Sequence, residues 1–220
     1  LKADTAEFSY DLTLTPAKPP VLHGRAGYSL KGSSPQRASC YYSYTRLEVD
    51  GHLTIGGKTF AVSGQGWMDH EFSTAMLEPG IKGWDWFSLQ LSDRTEIMVF
   101  LLRTDEGGIS AVSSGTFVDP EGKTRTIGKD DFAVTILDTW QSPHSKAVYP
   151  SRWRLRVFPF ALDLTISANL ADQEMRTSES TGVTYWEGSV SIRGTRDANP
   201  INGQGYVELT GYAESFDIPM

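Results

Sequence analysis

The sequence is poor in cysteine, in positive charge and in long apolar runs. Cys40 is the only cysteine among the 220 residues, so no internal disulfide can form, which suits cytoplasm and periplasm alike. Asp and Glu outnumber Lys and Arg by 27 to 20, and the net charge of −7 argues against a nucleic-acid partner held by charge. The longest apolar run, 97–102, is far shorter than the roughly 20 residues of a membrane-spanning helix. These features predict no nucleic-acid partner and no transmembrane segment.

Several common catalytic and cofactor motifs are also missing. Gly64-Gln65-Gly66 lacks the third glycine and the helix of a dinucleotide-binding turn, and no Walker lysine loop is found. His70-Glu71 opens like a zinc-protease helix, but Thr74 stands where the second histidine belongs. No Gly-x-Ser-x-Gly elbow occurs, and the histidines show no metal-ligand spacing. The chemistry must therefore be sought outside these classes.

Alternation of apolar and polar residues runs through the whole chain and predicts an all-β protein. In residues 8–14 the apolar side chains occupy every second position, which is the period of a half-buried strand. Asp50-Gly51 and Gly56-Gly57 predict the two turns of a three-strand meander. About eight or nine strands follow Gly83, enough for an antiparallel barrel, whereas the strands before it are too few for a core of their own.

Ionisable and aromatic residues are concentrated in 64–72 and 83–87. Within a strand, Asp69 and Glu71 point to one side and His70 to the other, so at least one of the three is expected to be buried or half-buried. A buried carboxyl group needs hydrogen-bond partners or has a raised pKa, and beside aromatic walls such a group can act as an acid toward an apolar substrate. The same residues are also compatible with a purely structural hydrogen-bond network.

Four motifs together identify a family resemblance. They are Trp67-Met68-Asp69-His70-Glu71-Phe72, Trp84-Asp85-Trp86-Phe87, Tyr185-Trp186-Glu187-Gly188 and Gly205-Tyr206-Val207-Glu208-Leu209. With Tyr41-Tyr42-Ser43, they resemble the AttH/carotenoid 1,2-hydratase family. The resemblance implies two lipocalin-like barrels, with 1–78 as the C-terminal portion of an N-terminal barrel and 79–220 as a calycin-type barrel. It also implies that much of the first barrel lies outside this sequence.

The resemblance further implies a substrate class and a mechanism. Family members with known activity act on apolar isoprenoid or polyketide-derived molecules, and the hydratases add water to a carbon–carbon double bond. Asp69 is then the expected acid, and His70 or Glu71 orients it or activates water. Trp67, Trp84, Trp86, Tyr42 and Tyr206 are the expected ligand-binding residues. No cofactor and no metal are expected.

A different class of function stays open at this point. A lipocalin-like protein can equally carry a lipid or terpenoid without changing it, in which case the acidic run only braces the fold. The expected partner is an apolar small molecule, and a second copy or an absent N-terminal portion is expected to cover exposed edge strands. Similarity to secreted family members implies a periplasmic or secreted location, although no signal peptide is seen in the sequence.

Overall fold

The computed structural model describes residues 1–74, 77–179 and 182–213, and the regular secondary structure of these residues is almost entirely antiparallel β-strand. In chain order the strands are β1 Lys2–Asp4, β2 Phe8–Pro16, β3 Val21–Leu22, β4 Tyr28–Leu30, β5 Ala38–Ile55, β6 Lys58–Phe72, β7 Ile81–Leu91, β8 Glu96–Thr104, β9 Ser114–Val118, β10 Thr124–Ile127, β11 Phe132–Gln141, β12 Val148–Val157, β13 Leu162–Ala168, β14 Glu174–Arg176, β15 Thr184–Arg196 and β16 Asn199–Leu209. The helices in these ranges are the 3₁₀ turns Lys129–Asp131 and Phe158–Phe160, and neither is long or apolar enough to cross a membrane.

The first six strands form one sheet around the long hairpin β5–β6. Strand β5 pairs with β2, β3, β4 and β6, and β1 extends the sheet beyond β2. The hairpin turns at Gly56 and Gly57, which have φ values of 55° and 76°. The predicted turn at these glycines is confirmed. Positive φ is strained for residues with a Cβ, which explains why glycines occupy both positions of the turn.

The predicted turn at Asp50-Gly51 is wrong, because β5 runs straight through it. A Cβ on Gly51 would lie 2.1 Å from the backbone oxygen of Asp11 on β2. The glycine therefore allows two strands to approach closely instead of ending one of them. The predicted three-strand meander is a two-strand hairpin with a third strand, β2, paired along its side.

The other ten strands form a rolled sheet in the order β10-β9-β8-β7-β16-β15-β13-β12-β11, with β14 paired to β15. Inward side chains from all nine strands of this path meet in one core, which includes the fully buried Trp153 and Trp186. Phe117 on β9 stacks on Phe160, with 3.8 Å between ring centroids, so the two ends of the sheet approach each other. The barrel interior is therefore packed with side chains.

The two sheets are held together by a buried ionic group, here called the ionic junction: Lys18, Arg46 and Glu96. Nζ of Lys18 lies 2.7 Å from Oε2 of Glu96, and Nε of Arg46 lies 2.6 Å from Oε1. The register of β5 with β6 shifts between Tyr44 and Leu47, and such a bulge redirects side chains. Arg46 lies in this bulge and points into the second sheet.

The chain passes from the first sheet to the barrel sheet between Phe72, the last residue of β6, and Ile81, the first residue of β7. The ionic junction and the contact of β5 with β7 place the first sheet as a wall against the barrel. The assignment of 1–78 and 79–220 as separate domains stays a prediction.

Candidate functional site

A cavity of about 1040 Å³, here called the inter-sheet cavity, lies between the first sheet and the outer face of the barrel. Strand alternation builds its barrel wall: Trp84 and Trp86 on β7 face the cavity, while Phe87 faces the barrel core. Tyr41 and Trp67 line the opposite wall. The cavity is thus outside the barrel, bounded by aromatic rings from both sheets.

Asp69 lies on the first-sheet wall and accepts hydrogen bonds from two hydroxyl groups at the same oxygen. Tyr41 donates to Oδ1 at 2.8 Å, and Ser43 donates to Oδ1 as well. The indole N–H of Trp86, from the barrel, donates to the Tyr41 hydroxyl at 3.1 Å. Burial raises the pKa of Asp69, and the hydroxyl donors oppose this shift. The carboxyl group keeps an exposed surface, which faces the cavity.

A buried histidine continues the hydrogen-bond chain behind Asp69. Nε2 of His23 lies 2.8 Å from the Ser43 hydroxyl, and its Nδ1 lies 2.9 Å from the Thr116 hydroxyl. Because Ser43 donates to Asp69, the consistent arrangement has His23 donating from Nε2 and accepting at Nδ1. Burial lowers the pKa of His23 to about 3, which keeps the ring neutral at pH 7. This chain fixes Ser43 and, through it, the carboxylate of Asp69.

Glu71 also faces the cavity but is paired with a cation. Nζ of Lys31 lies 2.9 Å from Oε1 of Glu71, and Ser39 donates to the same oxygen. The ammonium group also sits over the ring of Phe100, 4.0 Å from its centroid. Burial lowers the pKa of Lys31, and the charge of Glu71 opposes that shift. Glu71 is therefore bound in a local ion pair.

Two carboxyl groups on the barrel wall were not predicted as site residues. Glu187 on β15 and Glu208 on β16 are direct register partners, and both line the cavity. Neither makes a salt bridge within the part of the chain that is described. The pKa of Glu208 is raised to about 7, mainly by burial, and burial also raises the pKa of Glu187. Tyr206, which the resemblance did imply as a ligand-binding residue, lies two positions before Glu208, and this period-two spacing puts both side chains on the same face of β16.

Six of the predicted site residues line the inter-sheet cavity, and two lie on the opposite face of the first sheet. Asp69, Glu71, Trp67, Trp84, Trp86 and Tyr206 line the inter-sheet cavity. His70 and Tyr42 lie together on the other face, where Nδ1 of His70 is 3.0 Å from the Tyr42 hydroxyl. The expected opposite orientation of His70 is confirmed, and it places both residues outside the cavity. Within residues 1–74, 77–179 and 182–213, no group of His, Cys, Asp and Glu side chains has the arrangement of a metal site.

Comparison with known proteins gives one family and several similar structures. A family model described as AttH-like matches residues 1–212. An AttH protein from Nitrosomonas europaea is 35% identical with a TM-score of 0.87, and its match covers 96% of this chain and 64% of that one. A search of curated proteins gives no match.

Two more distant structures share the fold with the same coverage, 96% of this chain and 64% of theirs. Kievitone hydratase from Nectria haematococca is 21% identical with a TM-score of 0.78, and CghA, solved with Sch210972, is 12% identical with a TM-score of 0.56. These matches confirm the predicted all-β, lipocalin-like fold. The present chain spans about two thirds of the length of each of these structures.

Proposed function

The chain belongs to the AttH-like family, and from this we propose that it binds an apolar, alkene-containing molecule in the inter-sheet cavity and adds water to a double bond. The observation that carries the proposal is the combination of aromatic walls with partly buried carboxyl groups of raised pKa. Such a combination can protonate a carbon atom and shield the resulting cation from bulk water. The hydratase among the similar structures supports the same reaction class.

The size and lining of the cavity support an isoprenoid-like ligand. Pockets for small molecules commonly measure about 300–1,000 Å³, and this cavity of about 1040 Å³ is slightly larger than that range. Trp67 and Trp86 meet edge to face, with ring centroids 6.3 Å apart, and form a rigid apolar surface. An extended or branched hydrocarbon chain fits these walls better than a compact polar metabolite.

The reaction follows from the groups that line the cavity. A carboxylic acid transfers its proton to the less substituted alkene carbon, and the π electrons form the new C–H bond. The tertiary cation left on the neighbouring carbon is stabilised by the faces of the tryptophan rings. Water attacks that carbon, and a carboxylate takes the extra proton from the oxygen. The sum is alkene plus water giving a tertiary alcohol, with Asp69 as one of the two acid–base groups.

The experiment is incubation of the purified chain with acyclic terpenoids that end in a trisubstituted double bond, followed by mass spectrometry. The proposal predicts a product heavier by one water, which Asp69→Asn fails to form. The exposed-residue variant Asp105→Asn is the matched control and should form product at the wild-type rate. Product from Asp69→Asn at the wild-type rate would remove Asp69 from the reaction.

The carrier function is favoured by one specific observation. Both hydroxyl groups on Oδ1 of Asp69 come from β5, so this carboxylate also ties β6 to β5. In a carrier, the inter-sheet cavity holds the ligand unchanged and Asp69 only joins the strands. Tight binding of an acyclic terpenoid, recovered chemically unchanged after long incubation, would establish the carrier function instead of hydration.

A further inference from the structure

We propose that Glu208, opposite Glu187 on the β15–β16 pair and open to the inter-sheet cavity, donates the proton of the hydration, while Asp69 on the other wall receives the proton of the attacking water. This inference rests on the proposed hydration and assigns its two proton transfers to particular residues. It reverses the role that the family resemblance implies for Asp69. Glu187 is a positioning residue in this scheme, because it acts through Glu208.

The geometry of the carboxyl pair comes from the strand register. Glu187 and Glu208 face each other directly across two antiparallel strands, which places their Cβ atoms roughly 4.5–5.5 Å apart. Both side chains point out of the barrel toward the same cavity. Two carboxylates at this distance repel each other, and with no salt bridge among the described residues the favourable state holds one proton between them.

The surroundings of Glu208 favour its protonated form. Burial raises its pKa most, and the negative charges of Glu187, Asp69 and Glu71 raise it further, to about 7. A hydrogen bond from Trp84 opposes the shift. Two further titratable groups interact with the charge of Glu208, Tyr185 on β15 and Tyr206 on β16. Tyr41 and Lys31 also line the cavity, and Lys31 is paired with Glu71.

Asp69 has the complementary environment. The hydroxyl groups of Tyr41 and Ser43 both donate to it, and such donors stabilise a carboxylate. The His23 chain orients Ser43 from behind. Asp69 is therefore suited to accept a proton, and Glu208 to give one.

The proposed cycle is balanced. The O–H bond of Glu208 breaks as the new C–H bond forms, which leaves a carboxylate and a tertiary cation. Water forms the C–O bond and passes one proton to Asp69. Loss of that proton to solvent and uptake of one by Glu208 restore the starting state, so the net change is addition of one water.

The first test needs no substrate. Infrared titration between pH 5 and 9 should show a protonated carboxyl band in the wild-type protein that disappears with a midpoint near pH 7. The band should be missing in Glu208→Gln, and in Glu187→Gln its midpoint should move down by about 1 pH unit, because a neighbouring negative charge is removed. An unchanged midpoint in Glu187→Gln would overturn the coupled pair.

The second test measures turnover against pH. Glu208→Gln should lose about 10²–10⁴-fold in the hydration rate while still binding Nile red, an uncharged apolar dye. Glu187→Gln should stay active with its alkaline limb moved to lower pH. Glu121→Gln, in an exposed turn, is the control and should match the wild type. Turnover of Glu208→Gln within a few-fold of wild type would refute Glu208 as the donor.

The two tests separate failure of this inference from failure of the hydration itself. Wild-type protein that forms no product at any pH would refute hydration and, with it, the donor role, even if the infrared band is present. If the Glu208→Gln variant forms the same product as the wild-type protein at the full rate, hydration stands and only the assignment of the proton donor is refuted.

Discussion

Replacement of Glu96 by Gln should destabilise the protein strongly, because it removes the only anion of the ionic junction. Glu96 is fully buried, and the side chains of Lys18 and Arg46 are 2% and 5% exposed. Gln keeps the shape of Glu but leaves two buried cations without a counter-charge. Loss of one partner of a buried ion pair typically costs about 3–5 kcal/mol.

The remaining contacts place the expected loss at the lower end of that range. Lys18 still donates to the backbone oxygens of Arg94 and Asp119 at 2.5 and 2.6 Å. Arg46 still donates to the side chain of Gln65 and the backbone oxygen of Leu91. We therefore expect a loss of about 3 kcal/mol in the free energy of unfolding.

Urea unfolding followed by tryptophan fluorescence measures this loss, and thermal unfolding should show a Tm lower by about 6–12 °C. Glu48→Gln, an exposed residue on β5, is the control and should change stability by less than about 0.5 kcal/mol. A combined Lys18→Met, Arg46→Met, Glu96→Leu protein should recover most of the loss. A loss below about 1 kcal/mol in Glu96→Gln would refute this account of the ionic junction.

Three further predictions concern the inter-sheet cavity and its hydrogen bonds. The Asp69→Asn variant should hydrate its substrate about 10²–10⁴-fold more slowly than the wild type, while its affinity for Nile red stays within a few-fold of wild type. Equal losses of hydration rate and of Nile red affinity would indicate a folding defect instead. The pKa of His23 is about 6.5 in the unfolded chain and about 3 in the folded protein. As the pH falls from 6.5 toward 3, the unfolded state therefore binds a proton that the folded state does not, and the free energy of unfolding decreases by about 1.4 kcal/mol per pH unit. His23→Gln should therefore show a shallower loss in urea unfolding over that window, and an equal slope would contradict the prediction. Glu208 titrates near 4.5 when unfolded and near 7 when folded, so its contribution to stability is present below pH 4.5 and is lost as pH rises toward 7. Glu208→Gln should consequently gain stability relative to wild type between pH 5 and pH 8, and a constant difference across that range would argue against a raised pKa.

Strand alternation predicted the orientation of side chains well, because it is a local property. It placed Asp69 and Glu71 on one face and His70 on the other, and the structure confirms this arrangement. The same rule separates Trp86, which lines the cavity, from Phe87 in the barrel core. Residues that alternate in sequence do so in any extended strand, whatever the tertiary fold.

Contacts between distant strands could not be predicted in this way. Gly51 matches a turn in the local sequence, and only its close approach to Asp11 shows why a glycine is needed there. Glu187 and Glu208 belong to motifs of the family resemblance, but their direct opposition depends on the register of β15 with β16. The location of the cavity outside the barrel depends on Trp153 and Trp186 filling the interior, which only the packed structure shows.

The incorporation of oxygen from water tests the central claim most directly. The chain is incubated with an acyclic terpenoid in ¹⁸O-labelled water, and the organic extract is analysed by mass spectrometry. Hydration in the inter-sheet cavity predicts one ¹⁸O atom in each product molecule, and about 10²–10⁴-fold less labelled product from Asp69→Asn in the same time. Recovery of the terpenoid bound but unlabelled and unchanged from the wild-type protein would contradict the account and identify the cavity as a carrier site.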